Sequence, residues 1–224
     1  MVYMRAEPFE FKSVADQFDD HISCSIQNYN QLCSDIVNIS SYFLRCDSEI
    51  LDIGCSTSSL LKRVINYNLS LNVKGEAIEL NKCFLPFHDH SDITYTYADI
   101  IDYNIIKKFD FILSVFTLQF ISHRHKKDVL SKLYKSLNDR GGLVICEKIL
   151  TTDPFIENMF TSIYYQHKMK NFTGEEILVK EQGLRPLLSL YNLSELFDVL
   201  RDVGFKKLEI MWKQHSFVSI IAIK

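Results

Sequence analysis

The feature that most constrains this chain is an alternation of short apolar runs with amphipathic stretches, ended by two runs too close together for a helix to lie between them. "EILDIG" (49–54), "NVKGEAIEL" (72–80), "FDFILSVFT" (109–117) and "GGLVICEKI" (141–149) read as strands. "SSLLKRVINY" (58–67) and "HKKDVLSKLYKSL" (125–137) carry apolar residues at three- and four-residue steps and read as helices. Strands separated by helices predict an α/β fold with a mostly parallel sheet, helices covering both faces. Near the end, "LSELFDVLRDVGF" (193–205) is an amphipathic helix closed by Gly204. The runs after it, "KKLEIMWKQH" and "FVSIIAIK", must therefore pair as an antiparallel C-terminal hairpin.

Two further regions complete the plan. Residues 12–45 read as helices through "VADQFDDHI" and "NQLCSDIVNISSYFL", so residues 1–46 form an N-terminal helical cover. Residues 150–189, rich in aromatic and charged side chains, read as an insertion that lids the crevice. With 224 residues, all of this fits a single domain spanning 1–224.

Composition narrows the function. Apolar content of 47% and charged content of 24% are those of a soluble globular protein. A formal charge of -3 gives no global pull toward nucleic acid or anionic membrane, so neither is expected as a direct partner. Six scattered cysteines form no C-x-x-C pair or zinc spacing and suit a reducing cytoplasm. The start "MVYMRAEPFEFKSVADQFDD" does not read as a signal peptide, and no apolar run is long enough to span a bilayer, so a cytoplasmic protein is expected.

In an open α/β sheet the ligand lies beyond the carboxyl ends of the strands, at the switch point. Three acids mark those ends: Asp52 and Glu79 end the first two strands, and Asp99 follows the third. Glu79 stands where a dinucleotide fold places its ribose-binding acid, and Asp99 can accept from an adenine amino group. Singly, each reads as a solvated turn residue; three in order beside the turn "ILDIGCSTSSLL" (50–61) read as a nucleoside site. Gly54 stands alone in that turn, with Ser56 where a diphosphate-binding loop has its second glycine and no Lys-Ser/Thr pair following. NAD, FAD and ATP become less attractive. S-adenosyl-L-methionine, which has adenine, ribose and a sulfonium but no phosphate, fits better.

"LDIGCSTSS", "AIEL", "ADI", "FTLQFI", "GGLVICEK" and "GFKKLEIMWKQHSFVSIIAIK" resemble the class I S-adenosylmethionine-dependent methyltransferases. More narrowly, they are similar to the carboxy-S-adenosyl-L-methionine synthase group, which acts in wobble-uridine modification of tRNA. The resemblance runs from about Phe11 to Lys224, and its most specific elements are the D-I-G-C-S turn and F-T-L-Q-F. It implies a Rossmann-like class I methyltransferase fold, a homodimer, and cofactor contacts from Tyr29, Gly54, Glu79, Asp99 and Ile100. Asp52, Cys55, Ser56, Leu80, Ser114 and Val115 flank those positions and complete the expected cofactor set, with Phe116 facing substrate.

Two positions depart from the family. Val115 replaces an asparagine that contacts the cofactor. Glu181, in "VKEQGLRPLL", occupies by gapless count the place of an arginine that grips the product carboxylate. A glutamate there turns roughly 4 kcal/mol of attraction, at about 4 Å and an effective dielectric near 20, into repulsion. Arg185, four residues on, is the substitute considered for substrate binding, although Pro186 biases it away from helical geometry.

The lid segment "SIYYQHKMKNF" offers Tyr164, Tyr165 and His167 as catalytic candidates. Tyr164, Tyr165 and Phe172 can stack on a substrate or face the sulfonium, while His167 and Lys168 can steer an anion; packing within a helical lid explains the same residues. "HDH" (88–90) and "HRHKK" (123–127) lack the partners a metal site needs, so no metal is expected. Cys55 reads as a small residue fitted to its turn rather than a nucleophile.

The first expectation is therefore methyl transfer from S-adenosyl-L-methionine to a small molecule, catalysed by positioning, with no base assigned. The alternatives are carboxy-S-adenosyl-L-methionine synthesis from prephenate, cyclisation or rearrangement of the cofactor itself, and a non-catalytic binding module with a methyltransferase-like fold.

Overall fold

The alternating apolar pattern resolves into strands whose successive residues face opposite sides of one sheet. The computed structural model describes residues 15–224; residues 1–14, including Phe11 and Val14, at which the resemblance and the first helical reading begin, lie outside the described residues. A short 3-10 turn, Ala15–Gln17, leads into α1 (Phe18–Ser25) and α2 (Tyr29–Ser40). Then β1 (Glu49–Ile53), α3 (Ser59–Tyr67), β2 (Lys74–Glu79), β3 (Ile93–Tyr97) and β4 (Phe109–Val115) follow. Next come α4 (His123–Ser136), β5 (Leu137–Lys148), α5 (Pro154–Lys168), α6 (Gly174–Leu184), α7 (Leu193–Asp202), β6 (Lys207–Gln214) and β7 (Phe217–Ile223).

The described strands form one sheet in the order β3-β2-β1-β4-β5-β7-β6. β1 to β5 pair in parallel, whereas β7 runs antiparallel to both β5 and β6. Only His215 and Ser216 separate β6 from β7, and His215 takes φ 52° to close the hairpin. Because β1 pairs with β2 on one side and β4 on the other, the switch point lies between β1 and β4.

Two apolar layers fill the faces. On one, Leu51, Ile53, Ile112 and Ile145 pack with Leu130 and Leu133 of α4 and Leu196 and Leu200 of α7. On the other, Ile50, Phe111, Leu113 and Val144 pack with Ile36 of α2 and Leu61 and Ile65 of α3. The period-two strand pattern thus feeds both layers, which rigidly fixes the strand tips.

The helix ends follow local chemistry. Asn192 and Glu195 form a reciprocal cap at the start of α7. Gly204, at φ 123°, ends that segment, and a Cβ there would meet Tyr134 Cζ at 2.7 Å. β3, marked in the sequence only by the acid that follows it, is a β-branched and aromatic run, "ITYTY". β5 begins earlier than the expected Gly141: Leu137 pairs with Phe109, and a register shift follows in which Arg140 takes φ 64°.

Residues 150–189 fold chiefly as α5 and α6. Asp153 caps α5 ahead of Pro154, and Thr173 with Glu176 boxes the start of α6. Among the described residues, no helix is long and apolar enough to cross a membrane.

Candidate active site

The turn after β1 is built so that only glycine fits its first position. Gly54 has φ 69°, and its N–H donates to Ile78 O at 2.7 Å, binding the turn to β2. From β4's side, Thr117 Oγ1 donates to Ile53 O at 2.9 Å. A Cβ on Gly54 would lie 2.4 Å from that same oxygen. Ser56 (φ 46°), Ser58 (φ 57°) and, at the end of β4, Phe116 (φ 56°) are also left-handed. For a buried phenylalanine this geometry is an outlier, and such local strain gathers where a chain is shaped around a ligand.

Side chains then lock the turn. Glu79 Oε2 accepts the Ser56 N–H at 2.9 Å, and its Oε1 accepts the Asn81 N–H at 2.7 Å. His88 Nε2 donates to the Ser56 carbonyl at 2.7 Å, while its Nδ1 meets the Tyr97 hydroxyl and its ring stacks on Tyr95 at 4.2 Å. Thr57 Oγ1 donates to Asp19 at 2.8 Å and ties α1 to the same loop.

The three acids sit at neighbouring tips but in different surroundings. Asp52 is buried, and burial first, then the nearby Glu79 charge, pushes its carboxyl up to about 7. Asp99 Oδ1 accepts the Ile101 N–H at 2.9 Å and opens the turn that buries Ile100. Leu80, next to Glu79, is 49% exposed at the rim. Cys55 is buried and its thiol is driven upward, chiefly by burial and then by Asp52, which leaves it inert.

An aromatic row links α2 to α5. The Tyr29 ring, at the first residue of α2, lies 6.3 Å from Phe116. Phe116 meets Phe217 edge-on at 5.8 Å, and Phe217 meets Tyr164 of α5 at 5.4 Å. Ser114 is fully buried with an unpartnered Oγ, and Val115 beside it pairs with Cys146 of β5.

The other candidates on α5 and after α6 turn elsewhere. Tyr165 donates its hydroxyl to Glu181, and burial and that carboxylate push the phenol up to about 12. His167 hydrogen-bonds the backbone of Cys24 in α1, and burial and Lys170 lower its pKa; its Nε2 is buried without a partner. Arg185 has an exposed side chain and binds Glu181 at 2.9 Å. The expected bias from Pro186 is overridden: Arg185 has φ -53° and ψ -43°, because α6 runs directly into a 3-10 turn that Pro186 continues.

The structure therefore gathers Asp52, Gly54, Cys55, Ser56 and Glu79 around one turn, joined by Phe116 and Tyr29, and sets Tyr165 and Arg185 around Glu181. Sequence reasoning missed Thr117, whose role depends on β4 lying beside β1. It weighed His88 only as a metal ligand, because its contact with Ser56 depends on how the loop between β2 and β3 folds. Among the described residues, no group of three or more His, Cys, Asp or Glu side chains is arranged to hold a metal ion.

No family model matches the sequence. The chain is 28% identical over 231 residues to the carboxy-S-adenosyl-L-methionine synthase of Staphylococcus epidermidis, an alignment covering 99% of this chain and 100% of that one. It is 30% identical over 223 residues to the synthase of the same description from Campylobacter jejuni, covering 96% and 94%. Among solved structures, it resembles an S-adenosylmethionine-dependent methyltransferase of Archaeoglobus fulgidus with a TM-score of 0.64 at 13% identity, covering 93% of this chain and 100% of that one. That likeness carries the class I fold, with the turn after β1 at its switch point, and the full-length kinship narrows the group within it: the chain belongs to the carboxy-S-adenosyl-L-methionine synthase family.

Proposed function

We propose that the protein is a carboxy-S-adenosyl-L-methionine synthase that uses prephenate as its carboxyl donor. The chain is an S-adenosyl-L-methionine-dependent transferase acting on a small molecule; the open choice lies between moving the methyl group and carboxylating it. The observation that carries the choice is alignment over nearly the whole of this chain and of its relatives, lid included. Of the four readings considered, this favours the second over methyl transfer.

The residues at the turn fit such a cofactor and do not fit a diphosphate. The Ser56 N–H, which a dinucleotide loop would turn toward phosphate, is held by Glu79, so the loop presents carboxylates instead. Two buried acids in contact with each other's field are relieved by a cationic ligand. In this reading Asp52 faces the cationic methionine portion and Glu79 the ribose hydroxyls, while Asp99 and Ile100 take adenine. Tyr29 covers the methionine end, and Gly54, Cys55, Ser56, Leu80, Ser114 and Val115 form the walls. When bound, the cofactor would supply a methyl carbon, made acidic by the sulfonium, whose C–H bond is replaced by a bond to a carboxyl carbon of prephenate; that carboxyl breaks from its ring carbon, the ring hydroxyl departs and takes up the methyl proton as water, and the ring becomes aromatic. The chain's contribution is orientation and exclusion of water by the row Tyr29, Phe116, Phe217 and Tyr164, with Phe116 on the substrate side.

The same reading makes the protein a homodimer. Phe155, Ile156 and Met159 of α5 and Leu178 and Val179 of α6 expose apolar surface on the lid, which a second copy would cover. Sedimentation of the purified protein should give twice the monomer mass, and a monomer at all concentrations would remove this part of the reading.

Incubation with S-adenosyl-L-methionine and prephenate, followed by mass spectrometry, tests the activity. The expected product is the cofactor heavier by one CO2. Formation of S-adenosylhomocysteine with a methylated acceptor would instead establish methyl transfer, and cofactor consumption without any acid would indicate cyclisation or rearrangement.

A further inference from the structure

We propose that Lys148 and Lys168, converging on Tyr164 beneath the lid, bind the carboxylate of the acid substrate in this protein. The proposal rests on the synthase reading and assigns the part of its site that the substitution at position 181 leaves open.

Lys148 ends β5, on the same side of the sheet as the other strand tips, and its backbone N–H is fixed to Gln119 Oε1 at 3.0 Å. Lys168 is the last residue of α5 and is 5% exposed. Their Nζ atoms lie 5.5 and 5.2 Å from the centroid of the Tyr164 ring. Among the described residues, neither ammonium has a hydrogen bond or an ion pair within 4.0 Å. A tyrosine face offsets only part of what an ammonium loses on leaving water, so two such groups around one ring favour an anion between the elements that carry them. Burial lowers the pKa of both, as expected of cations waiting for a counter-charge.

The protein's own carboxylate does not fill that need. Glu181 is the first anion each lysine senses, yet its oxygens are taken by Arg185 at 2.9 Å and by the Tyr165 hydroxyl. Lys180, on the same helix as Glu181, is a further cation that opposes Lys168, and its ammonium donates to His21 Nε2. Lys148 and Tyr164 also line a hollow with His167, whose buried Nε2 has no partner among the described residues. Phe217 forms another wall of that hollow and touches Phe116 at the crevice, so an acid held there adjoins the expected cofactor position. The lysine pair thus offers ammonium donors to the two oxygens of a carboxylate, from strand and helix, where the family uses one arginine.

The test measures the KM for prephenate and, by calorimetry, the affinity for S-adenosyl-L-methionine in Lys148→Met, Lys168→Met and Lys168→Arg. The two methionine variants should each raise KM at least tenfold with cofactor affinity unchanged, and Lys168→Arg should stay within threefold of wild type. A KM unchanged in both methionine variants overturns the proposal, as does a parallel loss of cofactor affinity, which would mark a structural role. Should a methionine variant fail to fold, Glu181→Gln decides: removing the opposing charge should lower KM at least threefold, and an equal or higher KM overturns the assignment. Wild-type protein that binds prephenate without carboxylating the cofactor would sink the synthase reading and leave the anion pocket standing. Turnover that is indifferent to both lysines would do the reverse.

Discussion

Gly54 and Thr117 meet at the switch point so closely that a Cβ on the glycine would sit 2.4 Å from the threonine Oγ1. That oxygen is held in place by donating to Ile53 O, one residue before the glycine. The lone glycine of the turn therefore answers to two constraints, a φ of 69° and the neighbouring strand's side chain. Gly54→Ala should destabilise the protein by about 1–3 kcal/mol and abolish cofactor binding. Thr117→Ala in the same chain should recover part of the stability, since it lifts the clash but not the backbone strain. Urea denaturation checks both, and an unchanged midpoint in the single variant would contradict the stated geometry.

Glu79 holds two backbone N–H groups and is also the expected ribose acceptor. Glu79→Ala should weaken S-adenosyl-L-methionine binding about 10- to 100-fold, equivalent to about 1.4–2.8 kcal/mol. Glu79→Gln, which keeps an acceptor and nearly the same shape, should lie between the alanine variant and wild type. Calorimetry at fixed pH measures all three; equal affinities would remove Glu79 from the site.

The pH behaviour follows from Asp52, whose carboxyl rises from 3.8 to about 7 through burial and then the charge of Glu79. Its folded value exceeds its unfolded one, so the folded state holds the extra proton between those values. Stability of the ligand-free protein should accordingly fall as pH rises from about 4 to about 7, through this group, and level off above. A cationic ligand needs the ionised form, so cofactor affinity should increase across pH 6 to 8, with an enthalpy that depends on the buffer's own ionisation. Asp52→Asn should flatten both profiles. A wild-type affinity independent of pH over that range would refute the assignment.

Lys126 and Glu147 form a buried pair at 3.8 Å, with Lys126 also donating to the Ser189 carbonyl. Burial pushes Glu147 up against the pull of Lys126, and among the described residues its Oε1 has no partner. Lys126→Met should cost about 3–5 kcal/mol, because it strands the carboxyl, and adding Glu147→Gln should restore much of the loss. Denaturation of the two variants provides the check; a neutral single substitution would show that the pair is already effectively uncharged.

Much of this molecule was legible in the chain itself. The parallel sheet, the closing antiparallel hairpin and the helix closed at Gly204 follow from periodicity and from a gap too short for a crossover. The acids Asp52, Glu79 and Asp99 could be placed at neighbouring strand ends because strand ends are local features. β3 was less visible as an element, since its run of five is short and half-exposed.

What the sequence could not decide were the contacts between segments far apart in the chain. Thr117 constrains Gly54 only because β4 lies beside β1, and His88 braces Ser56 only because the loop after β2 folds back over the turn. Lys148 and Lys168 belong to different elements with no shared sequence pattern, and their shared approach to Tyr164 arises where α5 meets the end of β5. The pairing of Arg185 with Glu181 likewise required α6 to continue up to a proline that local preference alone argued against. Local periodicity fixes which residues form an element and which side they face. Charge pairing and ligand geometry depend on distances between elements, and only the packed tertiary structure sets those.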